Sequence, residues 1–240
     1  MENEVSQYGR LYLIPTTLGD TEPLEVLPLT IKRAVEEIDH YIVENEKSAR
    51  RFIKKITPRK SQGQLELFPL NKYTDPEALP GYLGPCLQGH SVGVLSEAGC
   101  PGVADPGAVI VKLAHEKGIR VVPLVGPSSI ILTLMASGLN GQNFAFNGYL
   151  PIEPQERRKT IKNLEKKSRE TGQTQLFMET PYRNDKLFAE LIRTLRGDTL
   201  LCIGADLTLK TEWIRTMPVS RWGGKTPDLH KRPAIFAIQG

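Results

Sequence analysis

The chain has 240 residues, 40% of them hydrophobic and 24% charged, with a formal net charge of +4 and a pI near 8.9. That profile suits a soluble globular protein, one large α/β domain or two smaller ones, with an anionic partner but without the charge of a nucleic-acid coating protein. Three distant cysteines without CxxC spacing exclude a disulfide framework and a cysteine zinc site, and neither a signal peptide nor a bilayer-length apolar run is present, so a reducing cytoplasm is the expected home.

In chain order, Leu11-Tyr12-Leu13-Ile14 reads as a strand that runs into the breaker-rich PTTLGDTEP. Ile31, Val35 and Ile38 recur at helical spacing behind Pro28. Tyr41-Ile42-Val43 reads as a buried strand, Ala49, Phe52 and Ile53 as a helix, 57–64 as a polar loop, and Leu65 to Phe68 as a further apolar segment. Val92 to Leu95 predicts a strand, 106–117 a helix with Pro106 near its first turn, and 120–124 another strand. Alternation of this kind predicts a mostly parallel sheet with helices on both faces.

Gly126-Pro127-Ser128-Ser129 opens a helix through Met135, and the pattern then changes. Residues 143–151 alternate with the period of a half-exposed strand, a basic helix spans about 153–171, and strands fall near 174–179, 199–204, 211–216 and 234–238. Consecutive late strands predict antiparallel pairing in a mixed sheet. The expected division is therefore an N-terminal α/β domain over 1–125 and a C-terminal mixed α/β domain over 126–240.

Parallel sheets bind ligands beyond the carboxyl ends of their strands, and four unusual segments follow predicted strands here: 15–20, 44–48, 96–107 and 126–129. PTTLGD at 15–20 lacks both the P-loop ending and the glycine spacing of a dinucleotide turn, which leaves a ligand loop or a plain turn. SEAGCPGVADPG at 96–107 is more specific, because Gly99 and Gly102 let backbone approach a ligand while Pro101 and Pro106 fix the loop's shape. Glu97 and Asp105 would favour a positive charge beside it; in the plainer reading Asp105 is an N-cap. No histidine is patterned to activate Cys100 as a nucleophile. Acids at strand ends, including Glu44, Glu46, Glu179 and Asp206, are conceivable general bases. Arg157, Arg158, Lys159, Lys162, Lys166, Lys167 and Arg169 make one helix cationic, either a solvated face partnered by Glu156 and Glu165 or a surface for a phosphate backbone.

LYLIPTTLGD, LSEAGCPGVADPG, GIRVVPLVGPSS, NFAFNGYLP with ERRKTI, LFMETPYR and ADLT occur in an order and spacing that resemble the tetrapyrrole-methylase-type S-adenosylmethionine-dependent methyltransferases. Among these, the resemblance is to the bacterial enzymes that methylate a cytidine ribose 2′-hydroxyl of small-subunit ribosomal RNA, and it runs from Leu11 almost to Gly240. It implies a two-domain α/β fold, a homodimer, no membrane association, no metal, and S-adenosylmethionine held largely by backbone in a cleft between domains. Carried onto this sequence, the cofactor residues are Gly99, Cys100, Pro101, Gly102, Val103, Pro127 and Ser128, with Met178 and Asp206 from the second half. Pro15, Thr16 and Gly19 border the substrate, Arg157, Arg158 and Lys159 are the expected RNA contacts, and Glu44 is the candidate catalytic base.

The sequence also departs from that branch. The usual E-D-T-R is Glu44-Asn45-Glu46-Lys47, a His- and Asn-containing segment is Leu70-Asn71-Lys72-Tyr73, D-A-G-T-P is Glu97-Ala98-Gly99-Cys100-Pro101, and Lys-Gly-Glu is Lys231-Arg232-Pro233. These changes leave three other expectations open: a methylase of a small molecule such as a tetrapyrrole, a non-catalytic RNA- or cofactor-binding derivative, and an unrelated nucleotide-binding enzyme.

Overall fold

Short apolar runs covered on both faces build the first sheet. The computed structural model describes residues 8–224 and 226–240, and the chain divides between Pro127 and Ser128 into two compact units. In the first unit, β1 (Leu11–Ile14), β2 (His40–Val43), β3 (Glu66–Pro69), β4 (Val92–Leu95) and β5 (Val121–Pro123) form one sheet in the order β3-β2-β4-β1-β5. Every pairing within it is parallel. Side chains alternate between faces along each strand, as the pleat requires. Tyr41 and Val43 join a cluster with Ile14, Ile31 and Ile53, whereas Ile42 joins Leu11, Val92 and Ile110 on the other face.

Helices α1 (Pro23–Val26), α2 (Leu29–Glu37) and α3 (Glu46–Ile56) supply the first of those clusters. The turns at Pro76–Leu83, α4 (Gly84–Leu87) and α5 (Ala108–Glu116) supply the second. The expected helix over 106–117 is shorter, and one detail of its start changes. Gly107 is the N-cap, which keeps Pro106 just ahead of the first turn and leaves Asp105 without a capping role.

In the second unit, β6 (Phe144–Tyr149), β7 (Thr174–Met178), β8 (Leu200–Ala205), β9 (Trp213–Pro218) and β10 (Ala234–Gln239) are ordered β6-β7-β10-β8-β9. Only β6 and β7 pair in parallel; β10 runs antiparallel to β7 and β8, and β9 antiparallel to β8. Alternation again sorts the core. Cys202, Ile235 and Ala237 meet Ile130 and Leu134 of α6 (Ser129–Ser137). Ile203, Phe236 and Ile238 meet Ile161 of α7 (Pro154–Thr171) and Leu187 and Leu191 of α8 (Asn184–Thr194). The protein is thus α/β, with a parallel sheet covered on both faces and a second, mixed sheet.

Candidate active site

β1 and β4 are neighbours in the first sheet, yet the chain leaves them on opposite faces, towards α2 and α5 respectively. Such a reversal opens a crevice at the strands' carboxyl ends, where open α/β sheets bind ligands. Three of the expected segments are tied together at this point. The Gly99 carbonyl accepts from the Thr16 amide at 3.0 Å and from the Ser96 hydroxyl at 2.7 Å. The Thr16 hydroxyl donates to the Ser96 carbonyl at 3.1 Å, and the Cys100 thiol donates to the Pro127 carbonyl at 3.4 Å.

Two glycines are required here for different reasons. Gly99 has φ +74°, and a Cβ on it would lie 3.1 Å from Leu18 Cδ2 and 3.2 Å from the Pro127 carbonyl oxygen. A Cβ on Gly126 would fall 2.2 Å from Cβ of the buried Pro15, so only bare backbone lets the end of the unit lie against the start loop. Asp105 binds the 96–107 loop together from inside: its Oδ1 accepts from the amides of Gly102 (2.5 Å) and Gly107 (2.8 Å). Burial outweighs those two bonds and pushes its pKa up. Burial, reinforced by the Asp105 charge, likewise raises the Cys100 thiol, which argues for a lining residue and against a thiolate nucleophile. Pro101 is buried behind the loop, and Val103 is exposed at its tip.

Beside these ties lies a pocket of about 490 Å³, floored by Val43 and Leu95 at the strand ends. Thr16 and Gly19 line it, as do Ser48, Arg51, Lys55 and Glu97. Glu97 and the 44–48 segment that holds Ser48 were expected at this rim; sequence reasoning missed Arg51 and Lys55, although they recur with Ser48 at helical spacing on α3. Lys55 is fixed by Asp20 at 2.9 Å, and Ser48 donates to Glu97 at 2.5 Å. Glu44 is half-buried just behind this wall; its Oε1 accepts from the Glu97 amide at 3.3 Å. Burial raises its pKa, with repulsion from Asp105 and Glu97 adding to the shift.

In the second unit, Met178 ends β7 and Asp206 follows β8 at the same end of the sheet, on either side of the start of β10. Asp206 is buried at φ +50°, and its Oδ2 accepts from Arg232 at 2.7 Å and Thr211 at 2.9 Å. Neighbouring Glu179 is held by Arg183. Ser128 caps α6 through its hydroxyl, which accepts from the Ile131 amide at 3.4 Å. On the other face of that sheet, Glu190 of α8 takes the guanidiniums of both Arg157 and Arg158. This corrects the expected helix partners: Glu156 pairs with neither, and the buried Glu165 accepts from the Thr199 hydroxyl and the Arg196 amide. Lys159 stands exposed. Among the described residues no cluster of histidine, cysteine, aspartate and glutamate could hold a metal, and no helix is long and apolar enough to cross a membrane.

No protein-family model matches the chain. The ribosomal RNA small subunit methyltransferase I of Vibrio cholerae is 26% identical over 96% of this chain and 77% of that protein. The protein of the same name from Bacillus subtilis is 30% identical over 88% of this chain and 68% of that protein. The chain belongs to the ribosomal RNA small subunit methyltransferase I family. It is accordingly an S-adenosylmethionine-dependent methyltransferase. The methyltransferase CobJ shares its fold, with a TM-score of 0.64 at 16% identity over 97% of this chain and 94% of that one. So does the uroporphyrin-III C-methyl transferase from Thermus thermophilus complexed with S-adenyl homocysteine, with a TM-score of 0.57 at 17% identity over 96% and 97%.

The methyltransferase's own residues fit such a donor. The amides of Ala98, Gly99 and Cys100 make no hydrogen bond among the described residues, so a rigid turn presents unused backbone donors. Three carboxylates, Glu44, Glu97 and Asp105, lie close enough to repel one another, a field that favours a cation. The departure from E-D-T-R also has a structural meaning. Asn45 caps α3 by accepting from the amides of Lys47 (2.9 Å) and Ser48 (3.2 Å), a role that asparagine fills as well as aspartate. The changed Lys231-Arg232-Pro233 segment supplies the guanidinium that neutralises Asp206.

Proposed function

We propose that the protein methylates small-subunit ribosomal RNA, at the ribose 2′-hydroxyl of a cytidine. The observation that carries this reading is similarity over nearly the whole chain to enzymes named for that RNA, at identities well above those of the tetrapyrrole enzymes. Bound S-adenosylmethionine supplies an activated methyl, whose bond to sulfur breaks as the bond to the ribose oxygen forms. The chain's contribution is chiefly alignment, since a sulfonium needs no further activation. Gly99, Cys100, Pro101, Gly102, Val103 and Pro127 form the donor loop.

The pocket lined by Thr16 and Gly19 receives the nucleotide, with Arg51 available to its phosphate. Glu44 takes the hydroxyl proton. A carboxylate whose pKa is raised by burial is a stronger base than an exposed one. We place the enzyme in the cytoplasm, where its RNA is, and as a homodimer.

Incubating the protein with methyl-labelled S-adenosylmethionine and unmodified small subunits tests the reading. Label should appear on a cytidine ribose, and Glu44→Gln should slow transfer roughly a hundredfold at saturating donor. Donor binding without transfer to RNA would refute the substrate. A fully active Glu44→Gln would refute the base.

A further inference from the structure

The outer face of α7 and α8 carries a groove of about 630 Å³, built within the second unit alone. Its lining includes five cations, Arg157, Arg158, Lys162, Lys186 and Arg193, against the one carboxylate of Glu190. The groove's excess of four positive charges equals the formal net charge of the whole chain, +4, so the remainder of the molecule is balanced. These cations are of two kinds. Arg157 is largely buried, with Nε held by Glu190 and Nη1 by the Ile152 carbonyl at 3.0 Å. Arg158 also binds Glu190 but stays mostly exposed.

Lys162, Lys186 and Arg193 are exposed and have no ion-pair partner among the described residues. Arg158 and Lys162 are one turn apart on α7, while Lys186, Glu190 and Arg193 share a face of α8, so the two helices present a double row of charge.

We propose that this groove is a docking track for the RNA phosphate backbone, with Lys162, Lys186, Arg193 and Arg158 as the contacts and Arg157 as their support. The proposal rests on the ribosomal RNA reading above and adds a second, sequence-independent attachment carried by the second unit. An open groove with flexible lysine heads reads charge spacing rather than the shape of one small anion, which suits a polyanion. Lys159 is exposed but outside the groove lining, so of the expected trio the track takes Arg158 as a contact and Arg157 as its support.

The test compares the wild-type chain with the triple variant Lys162→Glu, Lys186→Glu, Arg193→Glu, measuring binding to unmodified small-subunit ribosomal RNA across a salt series. The variant should bind RNA at least about tenfold more weakly, and its log-affinity against log-salt slope should be shallower by roughly 2 to 3. S-adenosylmethionine affinity, measured by calorimetry on the same sample, should be unchanged. Unaltered RNA affinity and slope would overturn the groove while leaving the RNA reading intact. A wild-type chain that binds no RNA would overturn both. Should the charge reversal fail to fold, the triple glutamine variant at the same positions decides by the same slope.

Discussion

Asp105 illustrates how one side chain can be read correctly as special and wrongly in its role. An aspartate two residues before a helix resembles a cap, but its oxygen instead gathers the amides of Gly102 and Gly107 and closes the donor loop on itself. An amide oxygen can accept both bonds equally well, so Asp105→Asn should keep the loop, whereas Asp105→Ala orphans two amides at a cost of roughly 1–3 kcal/mol. The pH dependence separates the two further. Because the folded pKa of Asp105 lies above its ordinary value of 3.8, the cost of burying its charge is fully present above the folded pKa. That cost is relieved as pH falls from the folded pKa towards 3.8, so the group contributes more favourably in acid. Denaturant titrations at pH 7 and pH 4.5 should therefore show Asp105→Asn at least as stable as wild type at pH 7, with its advantage shrinking in acid. An asparagine variant as unstable as the alanine one would mean the charge itself holds the loop.

Between elements, the tie of greatest consequence is Glu190, which carries two guanidiniums from α7 onto α8. The Arg157 arm is shielded, with side-chain exposures of 15% and 9%, whereas Arg158 at 59% is screened by water and adds little. Glu190→Ala leaves Arg157 shielded without a counter-charge and should cost about 3 kcal/mol. The double variant with Arg157→Ala should recover part of that loss, a coupling readable by a thermodynamic cycle in urea. Additive losses would show that the two helices are held by their apolar contacts alone. The charge on α7 was legible in sequence because it is contiguous; its partner was not, since Glu190 lies 33 positions from Arg157. The same distance hid Lys186 and Arg193. Strands such as β4 announced themselves as short apolar runs between breakers. The turns at Pro76–Leu83 did not, because prolines and glycines there suppress any helical period. The donor loop was visible for the opposite reason: its glycines and prolines stand at positions that the backbone geometry needs.

At the scale of the whole molecule, each unit has its own core, and donor binding must register as stability of the chain that holds the loop. A ligand present at a hundred times its dissociation constant stabilises a folded protein by about 2.7 kcal/mol, which for a chain of this size raises the melting temperature by roughly 5–10 °C. Wild-type protein should show that shift with S-adenosylmethionine. Gly99→Val should not, because a branched Cβ at φ +74° would press on Leu18 and the Pro127 carbonyl and turn the free amides away from the donor. The variant's own melting temperature should fall modestly, since a valine in that conformation is strained by roughly 1–2 kcal/mol. Gly99→Ala, with the same φ but less bulk, should retain a reduced shift. The comparison separates loss of folding, which lowers the melting temperature with or without donor, from loss of the site, which removes only the difference between them. A Gly99→Val protein that melts cooperatively and still gains the full shift would place the donor away from this loop.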